Sequence, residues 1–131
     1  MKYLVDSDWL IDAIGGIPYA TRTLDALEGG IPAISIISSG ELYDGAVNAA
    51  EPDLEIARIR QFLGTFEVLG LDDPTMEIFA RLRAQLRRRG QIIPDLDILI
   101  ASTALQYDLT LLTRNIRHFA RVPNLRLYLP R

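Results

Sequence analysis

The chain has no cysteine and only one lysine and one histidine, Lys2 and His118, among its 131 residues. Without cysteine it can form no disulfide, thiolate nucleophile or cysteine-based zinc site, and one histidine cannot build a two-histidine metal site. The lack of cysteine fits a reducing compartment, and we expect a cytoplasmic protein. No apolar run approaches the roughly 20 residues of a membrane helix, and the apolar start is too short for a signal peptide. We therefore expect no membrane partner.

Apolar residues are plentiful: 49% of the chain is hydrophobic and the net charge is only -3. A chain of this length and composition can bury a substantial core, which argues against disorder. It fits one compact domain spanning residues 1–131.

Short apolar segments alternate with longer segments of helical spacing along the chain. Strands are predicted over residues 2–6, 32–36, 66–71, 108–113 and 125–129. Helices are predicted over 7–14, from Pro18 to Gly29-Gly30, from Ser38, over 53–63, from Asp73-Pro74 to Gly90, and over 95–107, with Met76, Phe79, Leu82 and Leu86 facing inward on the fifth. This alternation predicts an α/β fold with a central parallel sheet flanked by helices.

Polar residues collect at the predicted carboxyl ends of the strands, where open parallel sheets bind ligands. The helix over 95–107 is apolar around nearly its whole circumference, so we expect it to be central and buried. The polar residues are Asp6, Ser7 and Asp8 after the first strand, Glu41 in the helix after the second, Asp95 and Asp97 at the start of the helix over 95–107, and Thr113, Arg114 and Asn115 after the fourth. Clustered carboxylates repel one another unless a cation lies between them, and oxygen ligands suit Mg²⁺ or Mn²⁺. Such a site could cleave a phosphodiester by attack of metal-activated water, with no need for cysteine or histidine.

Each acid also has a purely structural interpretation. Asp6 could cap the first helix, and Glu41 follows Ser38 at the spacing of a capping box. Asp95 and Asp97 both fall in a first helical turn, where the helix dipole favours acids. His118 is interpreted as structural or solvent-facing.

Three segments resemble the PIN-domain ribonucleases, most closely the VapC-type toxins of toxin–antitoxin pairs. They are YLVDSDWLID, ISIISSGELYDGA and DLDILIASTALQYDLTLLTRNIRHFARVPNLRLY, and the similarity extends from residue 3 to about residue 128. The last segment is the most specific, because the acid, I-A-x-T-A, L-T-L-L-T-R-N and H-F follow in the family's order.

The resemblance implies a catalytic set of Asp6, Glu41, Asp97 and Asn115, in which the three acids bind the metal. Asn115 is neutral and would assist through water or by positioning. Asp-Ser-Asp stands where the family often has Asp-Thr-Asn, so Asp8 adds a charge, and Asp95 is an extra acid. We expect Ser7, Asp8, Asp95 and Thr113 around the ligands, and Arg81, Arg87, Arg88 and Arg114 as weaker candidates for RNA contacts.

The resemblance further implies a PIN fold, Mg²⁺ or Mn²⁺ dependence and endonucleolytic cleavage of RNA. It implies a toxin that forms a homodimer and a hetero-oligomer with a VapB-type antitoxin, the complex binding operator DNA.

Three alternatives remain open. One is a PIN-like module that binds RNA or protein without cleaving, and another is a PIN nuclease of RNA processing rather than a toxin. The third is phosphoryl transfer through an aspartyl phosphate at the Asp6-Ser7-Asp8 triplet. It is disfavoured because such enzymes normally rely on a downstream lysine, and no lysine follows Lys2 in this chain.

Overall fold

A computed structural model describes residues 1–129 and contains, within them, four short strands and seven helices. The strands are β1 (Tyr3–Val5), β2 (Ala33–Ser35), β3 (Glu67–Leu69) and β4 (Thr110–Leu112). The helices are α1 (Ser7–Ile14), α2 (Pro18–Asp25), α3 (Ile36–Val47), α4 (Pro52–Leu63), α5 (Asp73–Arg88), α6 (Asp95–Gln106) and α7 (Ile116–Phe119). In this part of the chain, no helix is long and apolar enough to cross a membrane.

The four strands form one parallel sheet in the order β3-β2-β1-β4. Leu4 of β1 is in register with Ala33 on one side and with Leu111 on the other. All four carboxyl ends therefore meet at one edge, as the alternation of strands and helices predicted.

Apolar side chains cover both faces of the sheet. Leu4 and Leu111 pack in a cluster with residues of α5, α6 and α7, whereas Val5 and Leu112 pack in a second cluster with residues of α1, α3 and α4. Neighbouring residues of a strand point to opposite faces, so β1 and β4 each supply both cores. The expectation that α6 is central is confirmed, because six of its residues are buried.

The predicted fifth strand over 125–129 is wrong. Leu127 forms a single parallel bridge with Leu111, through hydrogen bonds from Leu111 N–H to Arg126 O and from Tyr128 N–H to Leu111 O. The segment adjoins β4 at that one position only, after a turn in which Asn124 adopts a φ of 66°.

Several predicted helix limits also differ. α2 ends at Asp25, before Gly29 and Gly30. The N–H of Ala26, which follows it, donates to the Arg22 carbonyl and completes the last turn. α5 is capped by Asp72 rather than Asp73, since the Asp72 side chain accepts from Thr75 N–H. In its first turn Thr75 is buried and Met76 is 40% exposed, contrary to the predicted inner face.

Candidate active site

Asp6 lies directly after β1 and is 6% exposed. Its Oδ1 accepts the N–H of Ser7 at 2.8 Å, and its Oδ2 accepts the hydroxyl of Thr113 at 2.7 Å. Burial raises the pKa of this carboxyl to about 6, with a further contribution from the charge of Asp8, although the two hydrogen bonds oppose the shift. Asp6 therefore caps α1, and it is also a poorly solvated acid that binds a proton readily.

Asp8 sits one helical position into α1 and faces the residues that follow β4. Its Oδ2 accepts the backbone N–H of Arg114 at 2.9 Å, and its Oδ1 accepts that of Trp9 at 2.8 Å. Burial raises its pKa against these hydrogen bonds. Asp8 thus links the ends of β1 and β4 and adds a negative charge beside Asp6.

Glu41 reaches the same edge from α3. Its Oε1 accepts the Ser7 hydroxyl at 3.2 Å. Burial raises the pKa of Glu41, the Ser7 hydrogen bond lowers it, and the charges of Asp97 and Asp8 raise it further. Repulsion from two other acids indicates that carboxylates from three helices share one electrostatic environment.

The capping box that Ser38 and Glu41 could have formed is not present. α3 begins at Ile36, with Ser35 as its cap, because the Ser35 hydroxyl accepts from Ile37 N–H at 3.0 Å. Ser38 lies inside the helix, fully buried, and its hydroxyl has no partner within residues 1–129. Glu41 is therefore not needed to satisfy the helix start.

Asp97 lies in the first turn of α6 and contacts His118 of α7. The His118 Nδ1 atom is 3.0 Å from Asp97 Oδ2 and 2.8 Å from Asn115 Nδ2. Asn115 is further tied to the site, because its backbone N–H donates to the Thr113 hydroxyl at 3.0 Å. One hydroxyl and one imidazole thus join three of the predicted site residues.

Arg114 adjoins this acidic edge, where its backbone N–H donates to Asp8. Its guanidinium is 2.6 Å from Asp12 Oδ2 and lies 4.6 Å from the Trp9 ring centroid, and the side chain is still 45% exposed. The aromatic face and the carboxylate together hold the planar cation in place at the rim of the cluster.

Asp95 and the other candidate arginines lie apart from the carboxylates. Asp95 pairs with Arg83 of α5 at 2.8 Å, so its charge is directed to the neighbouring helix. Arg81, Arg87 and Arg88 are exposed on α5, where Arg81 lies 3.8 Å from Glu77. Arg87 lines a groove with Asp95 at the start of α6, whereas Arg81 and Arg88 lie together elsewhere on the surface of α5.

The carboxylates fit a hard divalent cation by their chemistry. Asp6, Glu41 and Asp97 offer only oxygen donors, and burial together with neighbouring negative charges raises the pKa values of Asp6 and Glu41. In the arrangement seen for residues 1–129, no three acidic or histidine side chains are grouped closely enough to hold an ion. Binding would therefore draw these side chains together.

Sequence reasoning missed three partners of the site: His118, Asp12 and Trp9. Two signals could have found His118: it follows Asn115 by three positions, the spacing of facing residues on a helix, and it belongs to the H-F pair of the family's motifs. The roles of Asp12 and Trp9 depend on the approach of α1 to the residue after β4, which no local pattern reports.

Comparison with known proteins identifies one family. The family model described as PIN domain matches residues 3–125. The chain is 32% identical over 126 residues to Ribonuclease VapC2 of Haemophilus influenzae, covering 96% of each. It is 30% identical over 127 residues to the tRNA(fMet)-specific endonuclease VapC of Salmonella typhimurium, covering 97% of this chain and 96% of the relative.

The solved structures agree with the sequence relatives. A crystal structure of VapBC2 from Rickettsia felis bound to a DNA fragment from their promoter contains a chain with a TM-score of 0.89 to this one. The two are 30% identical, and the match covers 98% of both. A DNA-bound VapBC from Salmonella typhimurium matches with the same TM-score and identity over 98% of this chain.

Proposed function

The chain belongs to the PIN-domain family, and from this premise we propose that it is a Mg²⁺- or Mn²⁺-dependent endoribonuclease and the toxin of a type II toxin–antitoxin pair. One observation carries the proposal: acids after β1, in α3 and at the start of α6 meet at one sheet edge. There, beyond the effect of burial, the charges of Asp8 and Glu41 raise the pKa of Asp6, and those of Asp97 and Asp8 raise the pKa of Glu41. Relatives of matching length are named ribonucleases, and the solved neighbours are toxin–antitoxin complexes.

Asp6, Glu41 and Asp97 would hold one or two ions, with Asn115 assisting. When bound, such an ion lowers the pKa of water and stabilises the charge that develops on the phosphoryl oxygens. The chain contains no cysteine, and its one histidine is engaged with Asp97 and Asn115. Water is therefore the nucleophile that the site can best accommodate.

The surrounding side chains fix the orientation of the ligands. The Thr113 hydroxyl and the Ser7 N–H hold both oxygens of Asp6, and the Ser7 hydroxyl holds Glu41. Asp8 secures the backbone after β4, and Arg114 supplies positive charge for an incoming phosphate at the rim. These contacts orient the Asp6 and Glu41 carboxylates before substrate arrives.

Partners follow from the same premise. We propose that the protein forms a homodimer, binds a VapB-type antitoxin, and contacts operator DNA only through that complex. Because its substrate is RNA and its chain carries no cysteine, we place its action in the cytoplasm. The exposed arginines of α5 and Arg114 are the proposed RNA-backbone contacts.

The decisive experiment is cleavage of a total-RNA pool by antitoxin-free protein with Mg²⁺, with Mn²⁺ and with EDTA. D97N is the inactive variant, and D53N is the matched control, because Asp53, like Asp97, is an acid in the first turn of its helix but is exposed on α4. Discrete fragments that need metal, persist with D53N and vanish with D97N are expected. A folded protein that cleaves nothing under any condition would instead favour a non-catalytic binding module.

A further inference from the structure

His118 occupies the gap between two residues of the proposed metal site. Its side chain is 35% exposed and that of Asp97 is 18% exposed, so their contact is partly shielded from water. The Nδ1 atom lies 3.0 Å from Asp97 Oδ2 and 2.8 Å from the side-chain amide of Asn115. The chain has no second histidine that could make this contact.

The hydrogen bonds among Asp97, Asn115 and His118 depend on whether the Nδ1 atom of His118 carries a proton. A carboxylate only accepts hydrogen bonds, so the contact with Asp97 requires that Nδ1 carry a proton and donate it. A protonated Nδ1 cannot also accept from the NH₂ group of Asn115. The two ends of an Asn amide exchange by a half-turn, and the Asn115 amide oxygen then faces Nδ1–H. A single N–H thereby orients both the carboxylate and the amide.

We propose that His118 is a positioning residue that fixes the Asp97 carboxylate and the Asn115 amide through Nδ1–H. The inference rests on the proposed function, because it concerns how the ligands of that site are held. A ligand that is oriented by a neighbouring donor loses less freedom on binding the ion, and removal of such a donor typically weakens metal affinity by about 10- to 100-fold.

Two isosteric replacements separate positioning from mere packing. In H118N the amide NH₂ falls close to the place of Nδ1, so the hydrogen bond to Asp97 is kept. In H118Q the amide instead reaches the place of Nε2, so a polar side chain of similar length is present without that bond. H118A removes both the packing and the bond.

The test is a Mn²⁺ titration of the purified full-length wild type and the three variants, followed by calorimetry or by the electron paramagnetic resonance signal of free Mn²⁺. We expect H118A and H118Q to bind Mn²⁺ about 10-fold or more weakly, and H118N to stay within about threefold of wild type. RNA cleavage should follow the same order, with the loss in kcat and not in KM for RNA. Circular dichroism checks that each variant is folded.

Each other outcome overturns the inference. If H118A binds Mn²⁺ as wild type does, His118 does not position the site. If H118N falls as far as H118Q, the Nδ1 hydrogen bond is not the cause. If the wild type binds no Mn²⁺ at all, the metal dependence in the proposed function is itself wrong, and that result is distinct from a failure confined to His118.

Discussion

The Thr113 hydroxyl donates to Asp6 Oδ2 over 2.7 Å and joins the carboxyl ends of two neighbouring strands. The same hydroxyl accepts the N–H of Asn115, which follows at the start of α7. A single buried side chain therefore ties an acid near the start of the chain to the residues after the last strand. The importance of that link can be measured.

Replacing Thr113 by valine should remove the donor while preserving the side chain's shape. Because Asp6 is buried, we expect a loss of about 1–3 kcal/mol in the free energy of unfolding and at least a 10-fold fall in RNA cleavage. T113S, which keeps the hydroxyl, is the matched control. Urea denaturation and initial cleavage rates measure the two effects, and equal behaviour of T113V and T113S would rule out this role.

The stability of the metal-free protein should decrease as the pH rises. The pKa of Asp6 is about 6 in the folded state against 3.8 for an ordinary aspartate, so the folded state binds the proton more tightly. Proton binding by Asp6 therefore adds roughly 3 kcal/mol to the free energy of unfolding. This contribution is fully present below about pH 4 and is lost as the pH rises through 6.

Urea denaturation in EDTA at several pH values between 4 and 7 measures this dependence. D6N cannot titrate, so its pH profile should be clearly flatter than that of wild type. Burial also raises the pKa values of Asp8 and Glu41, which leaves a smaller slope in D6N. A wild-type profile that rises with pH over this range would contradict the assignment.

Arg114 should affect RNA binding more than the chemical step. R114A removes an exposed cation at the rim of the site, so we expect KM for RNA to rise about 5- to 10-fold with little change in kcat. The slope of log affinity for RNA against log salt concentration should also decrease by about one, as expected for the loss of one phosphate contact. R126A is the matched control, because Arg126 pairs with Asp108 before the start of β4, away from the cluster. Equal effects of R114A and R126A would show that only net charge matters.

Two neighbouring serines should respond in opposite ways to alanine. Ser35 caps α3 through Ile37 N–H, so S35A should lower the free energy of unfolding by about 1 kcal/mol. Ser38 has a buried hydroxyl without a partner in the described chain, so S38A should be neutral or slightly stabilising. Thermal or urea denaturation compares them. If S38A were the more damaging change, the helix start assigned here would be incorrect.

The alternation of strands and helices predicted the parallel sheet and the edge at which the acids meet, because both depend on local periodicity and on the direction of parallel strands. Helix starts were harder to predict. Ser35 and Ser38 are both acceptable caps, and only the packing of β2 selects the first. The strand predicted over 125–129 was wrong because an apolar run predicts burial, whereas pairing depends on how the preceding turn aligns the segment with β4, which it meets only at Leu127.

The contacts around the site were the least predictable part. Asp95 is as well placed in sequence as Asp97, yet Arg83 pairs with it from another helix. His118 carried no periodic signal beyond its distance from Asn115. Such contacts depend on how α5, α6 and α7 pack together, and no short-range pattern in the sequence specifies that packing.

The pairing of β1 with β4 also determines when, during translation, the active site can be completed. Asp6 is synthesised before Thr113, which follows it by 107 positions. Until then the carboxylate lacks its hydroxyl donor, and Asp97 has not met His118. A ribosome translating this chain is therefore not exposed to the completed nuclease until β4 and the residues up to His118 have been made.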